Sequence, residues 1–385
     1  MTDSLFFHVD IDAFYATVEV LDNPQYLGKA IVVGGLGRRG IVCTASYEAR
    51  AKGIHSAMPM YQARRLVPNA VFLPCRMERY KEKSKEVMQL LQEYSPTLQQ
   101  ISIDEAFLDM SGMKNILLSA EKEARKIKEE IRKKTGITIS IGAGENKYIA
   151  KMASSRSKPD GLIVVERGKE AQFMLDIPLQ KVWGVGKQTL KKLEDAQIFS
   201  VQDVLKFSEG QLKIMFGSSF GSFLYYAVRG VSTGVFAVRE EAKSISAEKT
   251  FEDDVKDEKI IDGVIFEQAD EIASRLIGDN LSARTVTLKL VYFDHSKKTF
   301  SSSKSTVSSL STLYKQAKDL FRLHFEGKKL RLVGLAVSNL FCEGDEQNEL
   351  FSFPEEEKHR KVERLIRSMQ KKNLPIHPAR LLESL

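Results

Sequence analysis

The run Leu5-Phe-Phe-His-Val-Asp-Ile-Asp-Ala-Phe-Tyr15 is apolar except where Asp10 and Asp12 break it, and it predicts a short central strand. A period of two puts both carboxylates on one face. Further along, Ile101 and Ile103 alternate with Gln100 and Ser102, which predicts a second strand. Alternation breaks at Asp104 and Glu105, and an apolar run resumes at Ala106-Phe-Leu108. That is the pattern of a tight hairpin with two carboxylates at its tip. Helical spacing of Val87, Leu90, Leu91 and Tyr94 predicts a helix over Glu82–Tyr94. A second helix is expected from Ser119 to Lys134, and Ile137–Gly142 reads as a strand. With the N-terminal strand, these elements predict an antiparallel sheet backed by two helices.

Ile31-Val-Val33 and Ile41-Val-Cys43 predict two more strands, joined by Gly34-Gly-Leu-Gly-Arg-Arg-Gly40. The glycine run lacks the Gly-Lys-Ser/Thr ending of a phosphate loop, and no apolar helix follows it directly, so a flexible hairpin is expected. Thr44 is placed to cap the next helix, with Tyr47 and Arg50 three apart on one face. Asn146-Lys-Tyr-Ile-Ala-Lys-Met-Ala-Ser154 starts another helix, and Lys158 follows in a loop. Residues 168–233 read as a small helical domain. Within it, Trp183-Gly-Val-Gly186 followed by Lys187 has the form of a helix-hairpin-helix, in which Gly184 and Gly186 let backbone approach phosphate.

Residues 240–341 run strand, helix, two strands, helix, strand, which predicts the ferredoxin-like split βαββαβ arrangement. There Val286, Leu288, Leu290 and Tyr292 face a core, while Thr287 and Lys289 face outward. A last helix is expected near Glu355–Lys372. The fold class is α+β, multidomain.

Composition narrows the choices. The chain has 385 residues, 43% hydrophobic and 28% charged, which is globular and long enough for two to four domains. Its net charge of +7 suits a polyanionic partner. Charge is also segregated: Arg284 to Arg331 holds eleven Lys and Arg against three Asp and Glu, which favours a binding face over a merely solvated one. Cys43, Cys75 and Cys342 lie far apart in sequence with no CxxC spacing, so no disulfide framework or zinc site is expected, and a reducing cytosol fits. No signal-peptide core and no membrane span is expected.

The carboxylates carry the chemistry. Adjacent Asp104 and Glu105 repel each other unless a cation or shared proton relieves them. Mg2+ prefers such oxygen donors. A strand carrying Asp10 beside that hairpin makes a three-carboxylate cluster suited to two Mg2+ and in-line attack at phosphorus. Alternation alone does not separate Asp10 from Asp12.

His8-Val-Asp-Ile-Asp-Ala-Phe-Tyr15, Thr44-Ala-Ser-Tyr-Glu-Ala-Arg50, Ser102-Ile-Asp-Glu-Ala106, Asn146-Lys147 and Lys158-Pro-Asp-Gly161 occur in that order. Together they resemble the Y-family translesion DNA polymerases, most closely the bacterial DNA polymerase IV branch. The resemblance reaches Phe351 and implies a right-hand polymerase. Its palm is 1–16 and 75–165, its fingers 17–74, and its helix-hairpin-helix thumb 166–233. A linker, 234–242, leads to a DNA-gripping little finger, 243–341, and a tail, 342–385.

By the same resemblance Asp10 and Asp104 bridge two Mg2+, Glu105 holds the ion that activates the primer 3′-hydroxyl, and the Ile11 carbonyl completes the other. Tyr15 is the steric gate against a ribose 2′-hydroxyl, in a position where many bacterial members carry Phe. Phe14, Thr44, Tyr47, Arg50 and Lys158 meet the incoming deoxynucleoside triphosphate, and Ile41, Cys43, Thr44 and Ala57 roof the pocket. Gly184, Gly186, Lys187 and Lys289 meet primer-template DNA. Gln347-Asn-Glu-Leu-Phe351 matches the Gln-x-x-Leu-Phe pattern of sliding-clamp ligands, with Gln347, Leu350 and Phe351 as its contacts. A monomer without a proofreading exonuclease is expected. Two other readings stay open: a palm-type nucleotidyl cyclase, which needs neither the helix-hairpin-helix nor the basic unit, and a non-catalytic DNA- or clamp-binding protein, against which the intact carboxylates argue.

Overall fold

The computed structural model describes residues 4–112, 119–237, 242–303 and 305–342. The expected clamp residues Gln347, Leu350 and Phe351, and the helix near Glu355–Lys372, lie outside them. The chain divides into two compact units, Met1–Val238 and Arg239–Leu385. Among the described residues no helix is long and apolar enough to cross a membrane.

The first unit is built on a five-stranded sheet in the order Leu98–Gln100, Glu105–Asp109, Phe6–Ile11, Ile139–Gly144, Leu162–Val164. Phe6–Ile11 is central, and Phe7, Val9 and Ile11 are buried. The all-antiparallel expectation fails at one edge, where Ile139–Gly144 and Leu162–Val164 run parallel. The helix Lys147–Ser157 joins those two strands, and such a crossover returns the chain in the same direction. The helices Met77–Gln92 and Ala120–Thr135 supply core from Tyr80, Val87 and Leu91 and from Ala124, Ile127 and Ile131. Ser119 caps the second of them by accepting from the Lys122 N–H.

The predicted strand across Ile101 and Ile103 is not there; pairing stops at Gln100. Ser102 Oγ donates to Asp104 Oδ1 and accepts from the Asp104 N–H, and Ser84 Oγ donates to the Ile103 carbonyl. These local bonds favour a turn over a ladder. Asp104 therefore sits in the turn, and Glu105 opens the next strand.

A small mixed sheet in the order Val42–Ala45, Ile31–Gly34, Val71–Leu73 lies beside it. Its register slips between Val33 and Gly34, leaving Cys43 as the bulged extra residue. Thr44 lies in the strand and is not the cap of the next helix, Tyr47–Arg50. Ser46, two residues on, has the extended backbone a cap requires, and its hydroxyl accepts from the Ala49 N–H.

The helices Glu170–Leu175, Lys187–Asp195, Val201–Leu205, Glu209–Phe216 and Ser218–Val228 close over Leu193, Val204, Leu212 and Leu224. The two glycines of the hairpin differ. Gly184 has φ +94°, and a Cβ there would lie 2.5 Å from the Phe223 ring. At Gly186, which caps Lys187–Asp195, a Cβ would meet nothing within 4 Å. Gly184→Ala is therefore expected to cost roughly 2–3 kcal/mol in urea denaturation. Gly186→Ala should leave that midpoint unchanged, because its added Cβ meets nothing.

The second unit has the predicted element order: Ser244–Val255, helix Glu258–Gly278, Leu281–Tyr292, Lys297–Ser302, helix Leu310–His324, Leu330–Cys342. The antiparallel sheet runs Lys297–Ser302, Leu281–Tyr292, Leu330–Cys342, Ser244–Val255. Each helical connection skips one strand, which is the split arrangement. Val286, Leu288, Leu290 and Tyr292 are buried with both helices in one core. The other face carries rows of small and hydroxyl residues in register: Ser301, Thr287, Ala336, Ser246, then Thr299, Lys289, Gly334, Glu248.

Candidate active site

Asp10 and Glu105 are direct partners across the antiparallel pair at the end of the central strand. The helix Lys147–Ser157 lies unusually close to this sheet. A Cβ on Gly142 would fall 2.1 Å from the Ser154 nitrogen and 2.2 Å from the Ala150 oxygen, so only glycine permits the approach. That closeness brings Lys151, only 7% exposed, onto the carboxylates. Its ammonium donates to Glu105 Oε1 and lies 3.7 Å from Asp10 Oδ2. Lys158, just past the helix end, donates to Asp10 Oδ1. His8 Nδ1 shares a 2.6 Å hydrogen bond with Ser154 Oγ, and its Nε2, with no hydrogen-bond partner, lies 3.8 Å from Glu105 Oε2.

Burial dominates the electrostatics. It pushes the Asp10 carboxyl up to about 7 against the pull of Lys158, and Glu105 adds to the rise. Burial also opposes ionisation of Glu105, yet its hydrogen bond with Asp10 and the Lys151 ammonium hold it below the usual carboxylate range. Burial, with Lys151 and Lys158, keeps His8 well below its ordinary value, hence neutral.

The ambiguity between Asp10 and Asp12 resolves here. The strand ends at Ile11, and the Asp12 carboxylate accepts from Tyr47 OH at 3.1 Å, Ser140 Oγ at 2.8 Å and the Asp160 N–H at 2.9 Å. Asp12 is thus a buried tie between segments, while Asp10 faces the two lysines. Asp104 is not gathered with them; its side chain is held by Ser102 at 2.6 Å. Among the described residues no three acidic, His or Cys side chains converge in metal-ligating geometry. As it stands the site is a carboxylate–ammonium network rather than the three-carboxylate cluster expected from sequence. Its donor set still suits a hard divalent cation: two in-register carboxylates, one of them disfavoured in ionised form by burial, with a third carboxylate on the adjoining turn, whose Asp104 carbonyl accepts from the Ile11 N–H at 2.9 Å.

Tyr15 is the second residue of the helix Phe14–Asp22 that follows the central strand. Its ring stacks on Tyr80, centroids 4.2 Å apart and planes 9° from parallel. Tyr80 OH donates to Glu19 Oε1 at 2.6 Å, and Arg76 grips both Glu19 oxygens at 2.8 Å while also reaching Asp22. Glu19 is buried, so Arg76→Ala leaves a carboxylate short of its cation. The expected cost is roughly 2–4 kcal/mol, read as a lower urea midpoint at unchanged m-value.

The other expected nucleotide contacts are mixed. Phe14 is buried and packs in the core beneath the site. Tyr47 and Arg50 share a face as predicted, with the guanidinium 5.0 Å from the ring centroid; Tyr47 is tied to Asp12 and Arg50 Nε to the Ala45 carbonyl. Ile41, Cys43 and Ala57 are exposed and Thr44 is half-buried. Lys187 is exposed at its helix start. Lys289 is engaged, donating to both Glu248 oxygens at 2.7 and 3.0 Å.

Sequence reasoning missed Lys151, Tyr80 and the cysteine pair. Lys151 had a signal: it is a lysine inside the otherwise apolar Tyr148-Ile-Ala-Lys-Met-Ala153. Cys43 and Cys75, remote in sequence, come within 3.5 Å at sulfur; no local pattern reports such a contact.

Residues 9–155 match the impB/mucB/samB family and residues 242–350 its C-terminal domain. Residues 180–232 match the DNA polymerase-iota thumb domain. The chain is 45% identical to DNA polymerase IV of Treponema denticola, covering 99% of this chain and 98% of that one. It is 41% identical to DNA polymerase IV of Clostridium perfringens over 86% and 93% of the two chains. Among solved structures it is similar to a Y-family Dbh–Dpo4 polymerase chimera, with TM-score 0.78, 28% identity, and 88% and 99% of the two chains covered. Against DinB from Sulfolobus solfataricus the TM-score is 0.57 at 27% identity, with the same shares covered.

Proposed function

Because the chain belongs to the impB/mucB/samB family, the Y family of DNA polymerases, in its DNA polymerase IV branch, we propose that it copies DNA one nucleotide at a time past damaged template positions. The substrates are primer-template DNA and deoxynucleoside triphosphates. The supporting observation is the in-register pairing of Asp10 with Glu105, held by Lys151 and Lys158 where the strand leads into the Tyr15 helix.

Asp10, Asp104, Glu105 and the Ile11 carbonyl would hold two Mg2+. Bound there, Mg2+ lowers the pKa of the primer 3′-hydroxyl and neutralises charge on the triphosphate. The chain's own groups do the rest. Lys151 balances the buried Asp10 and half-buried Glu105 carboxylates. Lys158 sits on a long flexible stem and serves the Asp10 carboxylate or a phosphate equally well. Arg50 and Tyr47 orient the triphosphate by charge-assisted hydrogen bonds. Tyr15 lies under the sugar and excludes a 2′-hydroxyl. The small exposed residues Cys43, Thr44 and Ala57 leave room for a misshapen base pair, at a cost in fidelity.

Gly184, Gly186, Lys187 and the hydroxyl-lined face around Thr287 grip phosphates without reading bases. Lys289 joins them once it leaves Glu248. Gln347, Leu350 and Phe351 bind a sliding clamp, and the enzyme works as a monomer in the cytosol.

The test is primer extension with Mg2+, with and without a sliding clamp. Short distributive products are expected, lost in Asp104→Ala and lengthened by the clamp only while Gln347–Phe351 is intact. Undiminished extension by Asp104→Ala would overturn the site, and clamp-independent extension would overturn the tail reading alone.

A further inference from the structure

We infer that Cys43 and Cys75 form an oxidisable pair, a modification site at which peroxide closes a disulfide and suppresses nucleotide insertion. The inference rests on the reading of Tyr15 and the pocket roof given above.

The two thiols lie 32 residues apart in sequence, yet Cys75 Sγ donates to Cys43 Sγ at 3.5 Å. The fold specifies this meeting. The strands Val42–Ala45 and Val71–Leu73 flank Ile31–Gly34, and Val33 is in register with both Thr44 and Leu73. Cys43 is the bulged residue of one flanking strand, and Cys75 follows the other, so both emerge at the same end of the sheet. A bulge re-aims its side chain. A disulfide bond is about 2.05 Å long, so closing it brings the sulfurs together by roughly 1.5 Å.

The roles divide by exposure. Cys43 is exposed and Cys75 half-buried. Burial, then its hydrogen bond to Cys43, pushes the Cys75 thiol up to about 12, so Cys75 keeps its proton and Cys43 is the sulfur open to oxidant. The Cys43 thiolate attacks one oxygen of hydrogen peroxide, the O–O bond breaks, and water leaves with the thiol's proton. The Cys75 sulfur then attacks the resulting sulfenic acid; the S–S bond forms, the S–O bond breaks, and hydroxide takes the Cys75 proton as a second water. Two thiols lose two electrons, and peroxide gains them.

The position gives the bond a consequence. Cys43 and Cys75 are among the groups surrounding the Tyr15 phenol, whose pKa is raised by burial first and Asp104 next. Closure ties the strand carrying Thr44 to the segment entering the helix Met77–Gln92, which carries Tyr80, the ring stacked on Tyr15. The roof and the floor of the pocket would then no longer adjust independently to a nucleotide.

The test uses the full chain in a Cys342→Ser background, so that only Cys43 and Cys75 remain. Protein is treated with hydrogen peroxide, alkylated, and digested without reductant for mass spectrometry, and single-nucleotide insertion is measured before and after. The expected results are a peptide linked through Cys43 and Cys75, a fall of about tenfold in insertion efficiency, and recovery with dithiothreitol. Adding Cys75→Ser should remove the linked peptide and most of the peroxide sensitivity. Absence of the linked peptide, unchanged insertion when it forms, or an equal peroxide loss in the Cys75→Ser protein would overturn the inference. Insertion by the reduced enzyme tests the polymerase reading separately, so the two fail independently.

Discussion

Asp10→Asn is expected to cut single-turnover nucleotide insertion on the order of a thousandfold or more, because an amide neither binds a hard cation well nor neutralises a lysine. The side chain is isosteric and 2% exposed, so packing is preserved. What changes is charge: Lys158 loses its carboxylate and Lys151 keeps only Glu105. DNA binding should therefore hold or strengthen while chemistry fails. Asp12→Asn is the informative contrast. Its Oδ1 accepts from Tyr47 and Ser140 and its Oδ2 from the Asp160 N–H, and an amide keeps only one accepting oxygen, so at least one of these bonds is lost. That change should lower stability by roughly 1–3 kcal/mol, with a smaller loss of insertion. Insertion rates and urea midpoints on both variants separate the roles. Equal insertion defects with equal midpoints would mean the two aspartates had been wrongly distinguished.

Tyr15→Ala is expected to raise ribonucleotide insertion relative to deoxyribonucleotide insertion on the order of a hundredfold, mainly by admitting the ribose. The ring, rather than the hydroxyl, is what stacks face to face on Tyr80. Tyr15→Phe should therefore discriminate as well as the parent. Glu19 accepts from Tyr80 and is itself held by Arg76, so the gate rests on a partly buried ionic support rather than on apolar packing alone. Insertion kinetics with paired dNTP and rNTP at one template base decide the matter. A Tyr15→Ala enzyme that still refused ribonucleotides would remove Tyr15 from the gate.

Much of this architecture was legible because its signals are local. Apolar runs located Phe6–Ile11 and Ile31–Gly34, helical spacing located Ala120–Thr135 and the later turns of Met77–Gln92, which starts before the expected Glu82 and ends before Tyr94, and alternation in Leu281–Tyr292 named the buried face correctly. The failures share a different cause. Gln100–Ile103 alternates like a strand, but hydrogen bonds from Ser84, Ser102 and Asp104 bend it into a turn. Thr44 looked like a cap, yet Ser46 had the right backbone. The parallel edge strand depended on a crossover that period alone does not reveal. The lysines over Asp10 and the meeting of Cys43 with Cys75 are tertiary facts, produced by the close seating of a helix at Gly142 and by the order of strands in a small sheet.

The central place of Phe6–Ile11 also bears on how the chain is made. Its two neighbours begin only at Glu105 and Ile139, so an apolar strand leaves the ribosome long before anything can pair with it. At 5–20 residues per second the wait is roughly ten seconds, far longer than a hairpin needs to form. During that interval the strand's unpaired backbone and its phenylalanines are exposed to other chains and to chaperones. Nascent chains stalled before Gly144 should therefore be protease-sensitive through residues 6–11 and become protected together, as one cooperative unit, once that strand has emerged.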